Sequence, residues 1–235
     1  MRSQRWHRQS ACAVCLFLLW ITSCGSPPKT PVLAKDVTDF HTLYGENCAG
    51  CHGMNGKNGA APSLADPLYL SFIPKDTLRH TIENGVTGTP MPAFGISNGG
   101  SLYPKQVDAL VTGIETEWAK PVSLSGAALP PYNAAPGDGD ITRGEQVFGS
   151  ACSRCHGDQG KAGSITNPPF LTLVSDQSLR TSAVIGRPDF GMPDWRSKMP
   201  GHTLTDREIA DVVSYLASLR PPSETPKGAQ DDPGR

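Results

Sequence analysis

The chain has 235 residues, enough for one large or two small domains, with 18% charged residues and abundant glycine (25) and proline (22). Its formal net charge of −1 excludes nucleic acid as a natural partner, because no basic surplus is present to meet phosphates. So much Gly and Pro excludes long regular elements and favours short helices joined by long loops.

In chain order, Arg2, Arg5 and Arg8 precede an apolar run from Ala11 to Ile21, shorter than a bilayer span requires. Residues 1–23 therefore read as an export signal, and losing its three arginines leaves 18 basic against 22 acidic residues. The run ends in Ile21-Thr22-Ser23-Cys24, followed by Gly-Ser-Pro-Pro. This resembles a bacterial lipobox, which implies that Cys24 is lipidated and becomes the first mature residue. Cleavage near Ser23 without lipidation, or an uncleaved anchor, are the alternatives. Acyl chains on Cys24 would attach an exported body stably to a membrane, with residues 24–35 as the tether.

The first domain is read at 36–120. Phe40, Leu43, Tyr44 and Asn47 fall at helical spacing immediately before Cys48-Ala49-Gly50-Cys51-His52. A glycine-rich loop then runs to Pro62-Ser63-Leu64. A helix is predicted from Asp76 to Asn84, with Leu78 and Ile82 on one face. After Pro90-Met91-Pro92-Ala93-Phe94 comes a last helix bearing Val107, Leu110, Val111 and Ile114 and ending near Trp118. Residues 121–139 have few large apolar side chains and read as an interdomain linker.

The second domain, 140–220, repeats this plan. Phe148, Cys152 and His156 match Tyr44, Cys48 and His52 at an offset of 104, and Leu204, Ile209, Val212, Val213 and Leu216 match the last helix at 102. Pro169-Phe170-Leu171 takes the place of Pro62-Ser63-Leu64, and Gly191-Met192-Pro193-Asp194-Trp195 that of the Met91 segment. Thr205 and Glu208 form a capping box. An internal duplication is the simplest reading, with a polar tail at 221–235.

The two pentads Cys48–His52 and Cys152–His156 both read C-x-x-C-H, the attachment signature of a c-type haem. Two thiols three residues apart can each bond one vinyl group of a single porphyrin, and the next histidine is carried beneath the iron. A half zinc site, a thioredoxin-like pair or a disulfide would use the same cysteine spacing. A zinc site needs a second knuckle and a thioredoxin motif a βαβ setting; neither is visible. Of seven cysteines, Cys12 and Cys15 leave with the signal and Cys24 is the lipid site. The remaining Cys48, Cys51, Cys152 and Cys155 are the haem cysteines, so none is left for a thiolate ligand or a catalytic nucleophile.

With His52 and His156 on one face of each iron, the other face calls for a soft thioether, which favours ferrous iron and reversible one-electron exchange. Met91 is the candidate in the first domain. In the second, Met192 and Met199 both precede proline. Met192 lies 12 residues before Leu204, as Met91 lies 11 before Leu102, whereas Met199 lies 5 before it, which favours Met192. His80 and His202 are rival ligands, while His41 has no motif support. Pro62 and Pro169 are expected behind the histidines, a carbonyl near each taking the Nδ1 proton of His52 or His156.

Together these residues resemble class I cytochromes c, taken twice over 36–120 and 140–220. The resemblance implies an all-α fold, each domain a small helical bundle around one covalent haem c, with first and last helices crossing. The small residue of that crossing is Gly144 in the second domain, but Phe40 stands in its place in the first. A looser or shifted crossing is therefore expected there. The arrangement is similar to that of the soluble two-domain cytochromes c of bacterial respiratory chains. It implies an electron carrier on the periplasmic side, between a quinol-oxidising complex and a terminal oxidase or another acceptor. A fixed subunit of a dehydrogenase or oxidase complex is the alternative, as is a diheme enzyme of the peroxidase or thiosulfate dehydrogenase type.

Overall fold

Ten α-helices order residues 34–134 and 139–221, which are those described by the computed structural model. The signal, Cys24, nearly all of the tether and nearly all of the tail lie outside the described residues. Among those described there is no strand, only isolated bridges, and no helix is long and apolar enough to cross a membrane.

In the first domain, α1 (Phe40–Asn47) starts at Asp39, whose carboxylate accepts the Thr42 N–H at 2.8 Å and so satisfies an otherwise orphaned donor. One turn, α2 (Ala49–His52), follows directly, with Cys48 as the joint. Asp66 caps α3 (Pro67–Phe72) and α4 (Lys75–Asn84) precedes the Met91 segment. The last helix is α5 (Pro104–Trp118). Its buried Val107, Leu110, Val111 and Ile114 form one stripe at the 3.6-residue period. Each such side chain contributes roughly 1.5–3 kcal/mol when fully buried.

The second domain repeats the order as α6 (Ile141–Ala151), α7 (Ser153–His156), α8 (Pro168–Leu171), α9 (Asp176–Ile185) and α10 (Asp206–Ser218). The capping box is present: Thr205 Oγ1 accepts the Glu208 N–H at 3.2 Å, and Glu208 Oε2 accepts the Thr205 N–H at 2.8 Å. The start of α6 is fastened to α10 by Asp211, which accepts from Arg143 Nε at 2.8 Å and from the Asp140 N–H at 2.7 Å.

The crossing of α1 and α5 is closed rather than loose. Gly113 of α5 lies against Phe40, and an added Cβ there would stand 2.2 Å from Phe40 Cδ2. In the second domain a Cβ on Gly144 would meet Asp211 O at 2.0 Å and Tyr215 Cβ at 2.8 Å. Gly113 and Tyr215 are counterparts at the offset of 102. The small and large partners have changed helices, so close approach survives the loss of glycine on α1.

Among its described residues the stretch between the domains carries no helix, yet it is packed. Val122, Leu124, Leu129 and Tyr132 are partly buried against the core. Tyr132 lies 5.2 Å from Phe72 between ring centroids, and its carbonyl accepts from Gln177 Nε2 at 2.9 Å. The buried Arg180 donates to the Pro131 and Tyr132 carbonyls and pairs with Asp206. With α3 against α9, the core runs from Leu110 and Phe72 through Ile185 to Trp195.

Candidate haem sites

Each attachment segment is one helical turn, and that is what gathers its chemistry. The Cys48 N–H closes α1 on Tyr44 O at 2.9 Å, and the His52 N–H bonds Cys48 O at 3.0 Å. Positions i, i+3 and i+4 share a helix face, so Cys48, Cys51 and His52 are brought together. The second site repeats this, with the Cys152 N–H on Phe148 O and the His156 N–H on Cys152 O, both at 2.9 Å. In both sites the first cysteine is partly buried and the second exposed, and none of the four is paired in a disulfide.

Burial pushes the Cys48 thiol up to about 11, with the neighbouring Cys51 sulfur acting in the same direction. Burial also raises Cys152, against the opposing charge of Lys198. Neither is an activated thiolate at neutral pH. Among the described residues no group of three or more His, Cys, Asp or Glu is placed to hold a metal ion.

His52 is buried, and its Nδ1 lies 2.8 Å from Pro62 O. A carbonyl can only accept, so Nδ1 carries the proton and Nε2 keeps its lone pair for a metal. Burial lowers the His52 pKa, the Pro62 hydrogen bond opposes this, and the Arg187 charge lowers it further. Two thiols and a neutral imidazole of fixed tautomer fit a haem c.

His156 is less enclosed, and Pro169 does not serve it. Its Nδ1 lies 3.2 Å from Gly163 O, while Pro169 O accepts from Thr172 Oγ1 at 2.8 Å within the short helix α8. The reason is loop length. Pro62 follows His52 by 10 residues, but Pro169 follows His156 by 13. The longer loop passes the histidine with a glycine carbonyl before the Pro168-Pro169 pair opens α8.

The two Met-Pro segments are held by one backbone scheme. Helices α4 and α9 end at Gly85 and Gly186, with φ of 68° and 69°, a region that glycine enters without strain. The next residue turns back: Val86 N–H bonds Met91 O, and Arg187 N–H bonds Met192 O, both at 3.0 Å. Downstream, the Phe94 N–H bonds Ile82 O at 3.0 Å and the Trp195 N–H bonds Val184 O at 2.9 Å. Met192 is thus the structural counterpart of Met91. Met199 instead packs on the core and accepts the His202 N–H at 3.3 Å.

The rival histidines are engaged elsewhere. His80 Nδ1 lies 3.1 Å from Asn84 Nδ2, His202 Nε2 lies 2.9 Å from Glu208 Oε1, and His41 Nε2 lies 3.1 Å from Glu117 Oε1.

Two residues that the sequence reading did not single out join the second site. Lys198 is buried, burial lowers its pKa to about 8, and its Nζ donates to Pro193 O at 2.7 Å. It anchors the turn that follows Met192. Arg187 opens the Met192 turn and carries its side chain to the first domain. No repeat or motif marks either, since neither the Val86 nor the Phe94 side of the first domain has a matching charge. A haem c bound at each site supplies reversible one-electron exchange, while the chain supplies ligands, orientation and burial.

Comparison with known proteins agrees with this twofold geometry. The family model described as Cytochrome C oxidase, cbb3-type, subunit III matches residues 35–112 and again 139–216. The chain is 32% identical over 211 residues to the Cbb3-type cytochrome c oxidase subunit CcoP of an Azospirillum species, covering 79% of this chain and 64% of that protein. It is 26% identical over 184 residues to subunit FixP of Bradyrhizobium diazoefficiens, covering 76% and 59%. It is also 26% identical over 197 residues to the thiosulfate dehydrogenase of Stutzerimonas stutzeri, covering 77% and 61%. The chain spans about three-fifths of the length of these curated relatives. Since the family model accounts for most of the sequence and meets it once per C-x-x-C-H domain, the chain belongs to the cbb3-type cytochrome c oxidase subunit III family, as a diheme c-type cytochrome of two tandem all-α domains with two covalently bound haems c.

Proposed function

We propose that this protein carries single electrons between respiratory-chain partners, through haems ligated by His52 and Met91 in one domain and by His156 and Met192 in the other. The observation that carries this reading is the shared turn in which Val86 and Arg187 hold Met91 and Met192 by the same 3.0 Å backbone bond. Met91 and Met192 would each supply a thioether, and His52 and His156 an imidazole, a ligand set that would suit reversible one-electron exchange by a bound haem. Cys48 and Cys51, with Cys152 and Cys155, hold the two haems.

The site of work is the periplasmic side of a membrane, to which lipidated Cys24 tethers the exported body. A terminal oxidase is the favoured acceptor, because CcoP and FixP relatives are named as subunits of such an oxidase; a quinol-oxidising complex or a dehydrogenase is the matching donor. The same relatives favour a second reading, a fixed oxidase subunit, which differs in partner and not in chemistry.

The test is a haem count and a redox titration followed by optical and EPR spectra, on protein exported with the haem-attachment machinery. Two covalent low-spin Met/His haems of high potential are expected. One high-spin or bis-histidine haem of low potential would overturn the reading and make peroxide and thiosulfate the next substrates to assay.

A further inference from the structure

Arg187 belongs to the Met192 turn by its backbone and to the first haem loop by its side chain. Its N–H bonds Met192 O at 3.0 Å, and its carbonyl accepts the Met192 N–H at 2.9 Å. Across the domain boundary, Nη2 donates to Gly59 O at 2.7 Å. Gly59 lies in the loop that ends at Pro62, the carbonyl partner of His52. Two residues beyond Gly59, the Ala61 N–H bonds Cys51 O at 2.9 Å.

Asp189 completes the contact. It accepts from Arg187 Nε and Nη2, each at 3.0 Å, and from the Asn58 N–H at 2.9 Å. The Arg187 side chain is 16% exposed and that of Asp189 6%. Phe190 covers the guanidinium, 4.6 Å from its ring centroid. Charges so enclosed are weakly screened, and Arg187 and Asp189 both bond the backbone of the loop that leads to Pro62, the carbonyl partner of His52.

We infer that Arg187 and Asp189 form a coupling element between the two haem sites: Arg187 is a positioning residue that holds the 58–62 loop against the Met192 turn, and the two charges bias the first haem in opposite directions. A haem held there would take one electron from a redox partner on reduction, which would make the site one charge more negative. A positive charge held against the loop of the first haem would therefore favour the reduced form and raise the potential, while a negative charge would do the reverse. The inference rests on the two-haem reading above.

The test uses the full exported, haem-loaded chain. The first haem is identified in titrations by its response to Met91→Ala. Arg187→Gln should lower its potential, Asp189→Asn should raise it, and Arg187→Lys, which keeps the charge, should restore most of the Gln loss. The haem count should stay unchanged in all three. A merely structural role would move Gln and Asn variants the same way, and that result, or no shift in either, overturns the inference. If Arg187→Gln fails to accumulate, the sign of the Asp189→Asn shift decides alone. Wild-type spectra without Met ligation would overturn the functional reading instead, and the haem on Cys48 and Cys51 would still report the sign of each variant.

Discussion

The Phe40 ring occupies the space that a side chain on Gly113 would need, with Cδ2 2.2 Å from the Cβ position. In the other domain the ring comes from the opposite helix. Phe40 stacks on Tyr44 at 5.7 Å and 45°, and Tyr215 stacks on Phe148 at 5.6 Å and 45°. Tyr44 and Phe148 are counterparts in the repeat, so one aromatic seat is filled from α1 in one domain and from α10 in the other. Gly113→Ala should cost about 1–3 kcal/mol, the usual range for overpacking. Gly144→Ala should cost more, because its obstacle is the Asp211 carbonyl and backbone yields less than a ring. Chemical denaturation of the haem-loaded variants gives both values.

Asp211 makes the second domain acid-sensitive. Burial alone would raise its pKa, but the Arg143 fork and the Asp140 N–H outweigh burial and hold the carboxyl below its ordinary value. A depressed folded pKa gives stability that is fully present above the ordinary carboxylate range and is lost as pH falls through the folded value. Asp211→Asn should therefore unfold more easily than wild type at neutral pH, and the two stability curves should converge in acid. Urea unfolding at a series of pH values follows that convergence.

Arg180 pins the interdomain stretch. Its guanidinium donates to the Pro131 and Tyr132 carbonyls and pairs with Asp206 while fully enclosed. Arg180→Met should cost on the order of 3 kcal/mol, since a buried charge partner and several hydrogen bonds disappear together. Arg180→Lys should rescue little, because a point donor cannot reproduce the planar fork. Thermal unfolding and limited proteolysis between residues 121 and 134 would report the loosened stretch.

The methionines separate by position. Met91→Ala and Met192→Ala should each lower the potential of one haem, by on the order of 0.1 V within the roughly 0.8 V that axial ligands span. Met199→Ala should leave both potentials unchanged, since Met199 packs on the core and not in the shared turn. A spectroelectrochemical titration of the three variants resolves the two transitions. A fall in potential on removing Met199 would reassign the second site.

The sequence revealed what depends on local spacing. The C-x-x-C-H turns, the Pro104–Trp118 and Asp206–Ser218 helices and the Met91–Met192 correspondence follow from periodicity and offset, because helix faces and duplicated loops keep their register. What it hid depends on partners far along the chain. The exchange of Phe40 and Gly113 for Gly144 and Tyr215 appears only when both crossing helices are compared, since one helix shows just a missing glycine. Pro169 misled because a proline count ignores three additional loop residues. Arg187 and Lys198 look like ordinary surface charges in a chain of 21 basic residues, and only tertiary packing shows whose carbonyls they serve.

A duplicated chain risks pairing the wrong halves as it folds, because each first helix meets two final helices of similar pattern. The traded glycines oppose that error. Joining α1 to α10 would force Phe40 and Tyr215 into one seat, and joining α6 to α5 would set Gly144 against Gly113 and leave the seat empty. The native pairings alone place one ring against one glycine. The same exchange that hides the second half's ancestry in the first thus keeps the two halves from being mistaken for each other.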